Sequence, residues 1–194
     1  MIPKSDAEFV DAIIASPQDD AIRLAYAAWL EEHPVGLNSE RAEFLRLQCQ
    51  INSTPKGDQA FRALQDRLWK LEDAIKDEEW KVWVQQDLAI PSGLNEKGRL
   101  AAMTILKVLV SERFSFTGGC RMFWTPEEWQ QRGWELNPEC VVLVVVHDGP
   151  MRVFFTPESE WTRHDRMDRA LRNHGMFAEP YDDARSYIVD EDKF

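Results

Sequence analysis

Residues 140 to 146 read CVVLVVV, an uninterrupted apolar run containing five valines. A β-branched run without a polar position offers no face to water, so it is a strand buried in a sheet. The chain must therefore supply partner strands and layers that cover them. As the longest apolar run of the sequence, it also falls far short of the roughly 20 residues that cross a bilayer. No membrane-spanning segment is expected.

The neighbouring segments read as its partners. His147-Asp148-Gly149-Pro150 turns the chain, and MRVFF, residues 151 to 155, is expected to return as the adjacent strand. RFSF, residues 113 to 116, alternates in polarity and is separated by TGG from CRMFW, residues 120 to 124, which predicts a hairpin. ARSYIVD, residues 184 to 190, is a closing strand. Thr125, Pro126 and Glu128 provide a cap, a first-turn proline and a box partner for a short helix that stops at Gly133. Thr156-Pro157 opens another helical stretch, through EWTRHDRMDRALRNHG to Gly175. RLAAMTILKVLV, residues 99 to 110, fits either period and is assigned to a helix for its Ala, Met and Leu content. Residues 98 to 194 thus predict a small α+β domain, a mainly antiparallel sheet with helices on one side.

The first half has a different period. Ser5 and Glu8 stand at capping-box spacing before a helix that ends near Ser16-Pro17, and Asp19 or Asp20 caps the next. In that second helix Leu24, Ala25, Ala28 and Trp29 share a stripe, with Ile22, Tyr26 and Leu30 widening it, so nearly the whole helix is expected to be buried. HPVGLNSE breaks it with Pro34 and Gly36, and Ser39 is the expected cap of a third helix through RAEFLRLQCQI. After the loop NSTPKGD, the residues Phe61, Leu64, Leu68, Leu71 and Ile75 form a heptad seam extended by Trp80, Trp83 and Val84. This predicts a long helix, bent near KDEE. AIPSGLNEKG, residues 89 to 98, gathers Pro, Gly, Ser and Asn without apolar periodicity and marks the boundary after an all-helical module of residues 1 to 90. Residues 1 to 97 carry six Lys and five Arg, residues 98 to 194 two Lys and ten Arg. Basic residue usage changes across the same boundary.

The series FVDAIIASPQDDAIRLAYAAWLEEHP, RAEFLRLQCQI and LEDAIKDEEWKVWV resembles the repeat-companion domain family of bacterial proteins, over residues 6 to about 88. That family is a small helical module often found beside leucine-rich repeats, without an assigned reaction. The resemblance implies a fold and an adaptor-like context. Where such domains commonly read Tyr-Ala-Asp-Trp-Leu, this chain reads Tyr26-Ala27-Ala28-Trp29-Leu30. A carboxylate is replaced by a methyl group, so any chemistry at that point is lost in this copy.

A formal net charge of -11 opposes nonspecific binding to polyanions and suits either simple solubility or a basic partner. Cys49, Cys120 and Cys140 have no CxxC spacing, and MIPKSDAEF lacks a secretory pattern, so a cytoplasmic protein with reduced thiols is expected. His147-Asp148 and His164-Asp165 invite a metal-hydrolase reading, yet further ligands at workable spacing are missing. No phosphate loop, dinucleotide fingerprint or HExxH motif occurs. Neither a metal nor a cofactor is expected.

Arg163, Arg166, Arg169 and Arg172 recur every third residue and drift around a helix as a basic sash, with Asp165 and Asp168 placed for i,i+4 pairing. Trp124, Trp129, Trp134 and Trp161 crowd near two helix starts. Tryptophan and arginine are the composition of interface hot spots. The residues singled out for partner binding are therefore Trp124, Trp129, Arg163, Arg166, Arg169 and Arg172. The leading reading is a non-enzymatic cytoplasmic adaptor or regulatory accessory protein that binds another protein or protein complex. Direct nucleic-acid contact, disfavoured by charge, would run through the Arg163 to Arg172 helix. The alternatives are a hydrolase using His147, Asp148 or His164, and an acidic mimic that inhibits a nucleic-acid-binding protein.

Overall fold

The computed structural model describes residues 3–55, 57–115, 120–147, 149–156 and 161–194. The chain divides into two compact units, Met1–Gln86 and Asp87–Phe194, the first helical and the second α+β.

The first unit contains α1 (Asp6–Ala15), α2 (Asp20–Glu32), α3 (Asn38–Ser53), α4 (Gln59–Ala74) and α5 (Glu78–Val84). Ser5 caps α1 by accepting from the Glu8 amide, while the Glu8 carboxylate reaches the amide of Lys4, one residue before the box position. Asp19 caps α2. The α3 cap differs from expectation: the helix begins at Asn38, its preceding Leu37 makes no side-chain cap, and Ser39 lies inside the first turn. Asn38 instead donates to the His33 carbonyl at 2.6 Å. The heptad seam breaks at Ile75-Lys76-Asp77, where Asp77 caps α5 through the Trp80 amide. Leu68 and Leu71 pack half-buried on a core of Phe9, Ile13, Tyr26, Leu30, Phe44, Leu45, Ile75, Trp80 and Val84.

The inward stripe of α2 is not the one its hydrophobicity predicts. Arg23, Tyr26, Ala27 and Leu30 are buried, while Leu24 is 44% exposed and Ala25 and Ala28 face solvent. A helix this rich in Ala and Leu carries two overlapping stripes at three-and-four spacing, and aromatic packing decides between them. Tyr26 stacks on Phe9 at 5.0 Å, and its hydroxyl accepts from Trp80 Nε1 at 2.9 Å. Arg23 is carried inward with it.

The second unit contains α6 (Glu96–Ser111), β1 (Phe123–Trp124), α7 (Pro126–Gln130), β2 (Val141–Val146), α8 (Trp161–Arg172), β3 (Met176–Asp182) and β4 (Arg185–Asp190). The four strands form one antiparallel sheet in the order β1-β2-β4-β3. Within the stretch read as a boundary, Ala89, Ile90, Pro91 and Leu94 are buried, and Asn95 caps α6 by accepting from the Gly98 amide at 2.7 Å.

Two expected strands are absent among the described residues. MRVFF is a 3-10 helix, Gly149–Phe154, because both edges of β2 are already taken, by β1 and by β4. Met151, Phe154 and Phe155 are buried from that helical geometry. Residues 113 to 115 are not a strand either: Arg113 adopts φ 52°, the Phe114 amide bonds back to Leu109 O at 2.9 Å, and β1 pairs with β2. Phe116 and the expected turn Thr117-Gly118-Gly119 lie outside the described residues.

β3 has no counterpart in the sequence reading. It is an edge strand containing Pro180. The Glu191 amide bonds Gly175 O at 3.0 Å, so by two-residue alternation Phe177 and Glu179 bond β4, and Met176, Ala178 and Pro180 turn their backbone groups outward. A proline is tolerated there because no ladder bond is lost.

The sheet has two covered faces. α6 lies against the side of Ser186 and Asp190, binding Asp190 through Lys97. At Gly98 a Cβ would meet Val142 O at 2.2 Å, so only glycine permits this approach. The opposite face gathers Trp129 of α7 with Cys140, Val141, Val144, Tyr187 and Val189. Helices α6 and α8 cover one side, as expected, and the short α7 occupies the other.

Candidate functional site

The α7 face of the sheet continues into a ladder of aromatic rings. Thr125 and Glu128 form the complete capping box of α7, at 3.1 and 3.0 Å, which fixes the turn between Trp124 and Trp129. Ring centroids run from Trp124 to Trp129 at 5.9 Å, on to Trp134 at 5.9 Å, to Tyr181 at 6.0 Å and to Tyr187 at a further 5.0 Å. Trp129 is buried, 4% exposed, whereas Trp134 and Tyr181 are 37% and 44% exposed.

Three arginines stack on these rings. Arg121 and Arg132 lie 4.1 and 3.9 Å from the Trp124 centroid. Both guanidiniums therefore lie against the same indole. Arg185 lies over Trp134 at 4.0 Å, with Tyr181 at 5.2 Å and Trp129 at 5.8 Å. Such contacts contribute about 0.5 to 1 kcal/mol each at exposed positions. Their charges are treated differently. Arg121 is bound by both carboxylate oxygens of Glu128, at 2.8 and 3.0 Å. Arg185 pairs with Asp182, and that bond holds the Asp182 carboxyl below and the Arg185 guanidinium above their ordinary ranges. Arg132 is exposed and makes no ion pair among the described residues.

The residues selected from sequence are placed unevenly. Trp124 belongs to this ladder and is half-buried. Trp129 is a core residue rather than an exposed anchor, because α7 presses it onto β2 and β4. The arginine sash is a salt-bridged face: Arg163 and Arg166 both reach Glu112 at the end of α6, Arg169 pairs with Asp165 at 2.5 Å, and Arg172 pairs with Asp168 at 2.8 Å and Glu191 at 2.9 Å. The predicted i,i+4 pairs are thus present. Arg121, Arg132 and Arg185 were missed by sequence reasoning. A signal for one of them existed, since Arg185, Tyr187 and Val189 alternate along β4 onto one face.

The hydrolase candidates do not converge. His147 is fully buried and stacks on Phe155 at 4.8 Å; its Nε2 bonds Ser186 Oγ at 2.9 Å, while Nδ1 has no hydrogen-bond partner among the described residues. Burial pushes its pKa down to about 4, so it is a neutral core histidine. Asp148 lies outside the described residues. His164 sits beside Trp161 at 6.2 Å, and no cluster of three metal-ligating side chains occurs among the described residues. Burial raises the Cys49 thiol to about 12, which makes it unreactive.

The first unit buries a second set of polar groups. Arg23 donates to Pro17 O at 3.0 Å, to Gln48 Oε1 at 3.3 Å and to Val84 O, tying α2 to α3 and to the ends of α1 and α5. Burial lowers its pKa to about 10, partly opposed by Cys49 and Asp20, so the charge persists at neutral pH. Tyr26 donates to Asp6, and burial with that bond pushes its phenol up. Arg41 covers Trp80 at 5.0 Å and pairs with Asp77 and Asp6. Arg23, Tyr26 and Arg41 thus each have partners within the unit, while Nε of Arg23 and of Arg41 is buried without one among the described residues.

Comparison of the chain with protein-family models, curated proteins and solved structures gives no match. Among the described residues no helix is long and apolar enough to cross a membrane.

Proposed function

We propose that the chain is a non-catalytic protein-binding module, in which the second unit recognises another protein through the Trp124–Trp134–Tyr181 face. The resemblance of the first unit's sequence to the repeat-companion family supports an adaptor-like setting. The observation that carries the reading is the continuous ladder of rings that leaves the core at Trp129, surfaces at the partly exposed Trp134 and Tyr181 and returns to the buried Tyr187. Large, rigid aromatic side chains held by packing present contact area at little entropic cost, and arginines stacked beside them complete the composition of a hot spot.

The test is proximity labelling in the native host with the full chain and with Trp134→Ala/Tyr181→Ala. The double variant is expected to keep the far-ultraviolet circular dichroism of the wild type and a cooperative melt, lowered by the lost ring and Arg185 contacts, and to lose a defined set of labelled neighbours. An unchanged set of neighbours would sink the proposal.

A further inference from the structure

We propose that the site around Arg132 takes a single carboxylate, presented by an extended segment of a partner protein with an aliphatic or aromatic side chain next to it. This rests on the protein-binding reading and specifies what that face reads. The decisive feature is the asymmetry between the two guanidiniums that lie against Trp124. Arg121 is neutralised bidentately by Glu128. Arg132, stacked at 3.9 Å on the same indole and exposed, has no carboxylate partner among the described residues. Contact with the indole restrains this guanidinium while no carboxylate among the described residues occupies it, and a guanidinium so held can bind a carboxylate through two parallel hydrogen bonds.

The surroundings limit how acidic the ligand is. Glu127 within α7 and Glu135 beside Trp134 are exposed, and Glu179 shares a sheet face with Phe177 and Tyr181. With a chain charge of -11, a run of acids or a phosphodiester backbone meets net long-range repulsion, and Arg121 and Arg185 are already paired with Glu128 and Asp182. A lone carboxylate in a segment with apolar and basic neighbours is complementary to the whole patch: the acid pairs with Arg132, the apolar residue covers Trp134 or Tyr181, and basic residues face the rim glutamates.

The experiment is selection of a displayed random peptide library on the immobilised full chain, followed by titration of the enriched peptides against wild type, Arg132→Gln and the first-unit control Arg62→Gln. Enriched peptides are expected to carry one Asp or Glu beside an aliphatic or aromatic residue. Arg132→Gln is expected to weaken the best of them at least tenfold, with Arg62→Gln leaving them unchanged. Enrichment of peptides without an acid, equal binding by Arg132→Gln, or no enrichment overturns the inference. So does a labelled oligothymidylate that binds in an Arg132-dependent way. If Trp134→Ala/Tyr181→Ala abolishes the cellular neighbours while the selection gives one of these results, the protein-binding reading stands and only the carboxylate assignment falls.

Discussion

Replacing Arg23 by alanine tests whether a buried charge, rather than the apolar core alone, holds the helical unit together. Arg23 is 1% exposed and donates to three acceptors, two of them main-chain carbonyls at the ends of α1 and α5. Hydrogen bonds from a charged donor contribute roughly 1.5 to 3 kcal/mol each, so their gross loss is about 5 to 9 kcal/mol. Part of this is offset, because the guanidinium no longer has to be desolvated. Burial lowers its pKa to about 10 against the opposing pull of Cys49 and Asp20, which corresponds to a penalty on the order of 3 kcal/mol. The expected net destabilisation of Arg23→Ala is therefore about 2 to 6 kcal/mol. Arg23→Met, which restores volume but leaves the carbonyls of Pro17 and Val84 without their donor, should recover only the packing part. Urea denaturation of the full chain gives the magnitude, and hydrogen exchange locates it: amides of α2, α3 and α5 should lose protection while those of β2 and β4 do not. A loss below about 1 kcal/mol, or one spread evenly over both units, would show that Arg23 is merely accommodated.

Gly98→Ala places a methyl 2.2 Å from Val142 O, a backbone atom that cannot swing aside, so α6 must lift from the sheet; a melting temperature within a degree or two of wild type would contradict this, since forced overpacking costs about 1 to 3 kcal/mol. His147, with a folded pKa of about 4 against 6.5, remains unprotonated while the unfolded chain takes up a proton, so its contribution is complete above pH 6.5 and is lost as pH falls from there through 4. That contribution is about 3 kcal/mol, and urea titrations between pH 7 and 4.5 should show a steeper decline for wild type than for His147→Leu. Arg166→Glu, which sets a carboxylate against the 12%-exposed Glu112, should destabilise more than Arg169→Glu, whose partner Asp165 is 38% exposed; equal effects in thermal melts would mean that neither pair matters beyond the surface range of about 0 to 1 kcal/mol.

The fold was legible where one physical signal dominated. CVVLVVV has only one solution, a strand in the middle of a sheet, and the Thr125-Pro126-Glu128 combination specifies a helix start whatever surrounds it. It was illegible where long-range pairing outweighed local preference. MRVFF has good strand composition, but strand formation needs a vacant edge, and β4 arrives from almost forty positions later to fill it, His147 bonding Ala184 O at 2.8 Å. MFAEPYD has a proline that argues against a strand, yet at an outward-turned edge position the missing N–H costs nothing. In α2 the failure was of a different kind. Hydrophobicity ranked Leu24 above Arg23, whereas the interior offered carbonyl acceptors that only a guanidinium reaches.

The same physics explains why the sequence pointed to one set of arginines and the structure to another. Arg163, Arg166, Arg169 and Arg172 attract notice because they are dense along one helix. Density in sequence says nothing about compensation, and here Asp165, Asp168, Glu191 and the distant Glu112 take up the charge. Arg132 is unremarkable in sequence, two residues before Trp134 and eight after Trp124. It stands out once α7 folds Trp124 and Trp129 together and Arg132 lies against the Trp124 indole without an ion-pair partner among the described residues. An engaged guanidinium must first give up its partner before it can bind another, while one that is already oriented and uncompensated gives up only water. On that reasoning substitutions along the α8 sash should act mainly on stability and substitution of Arg132 mainly on binding.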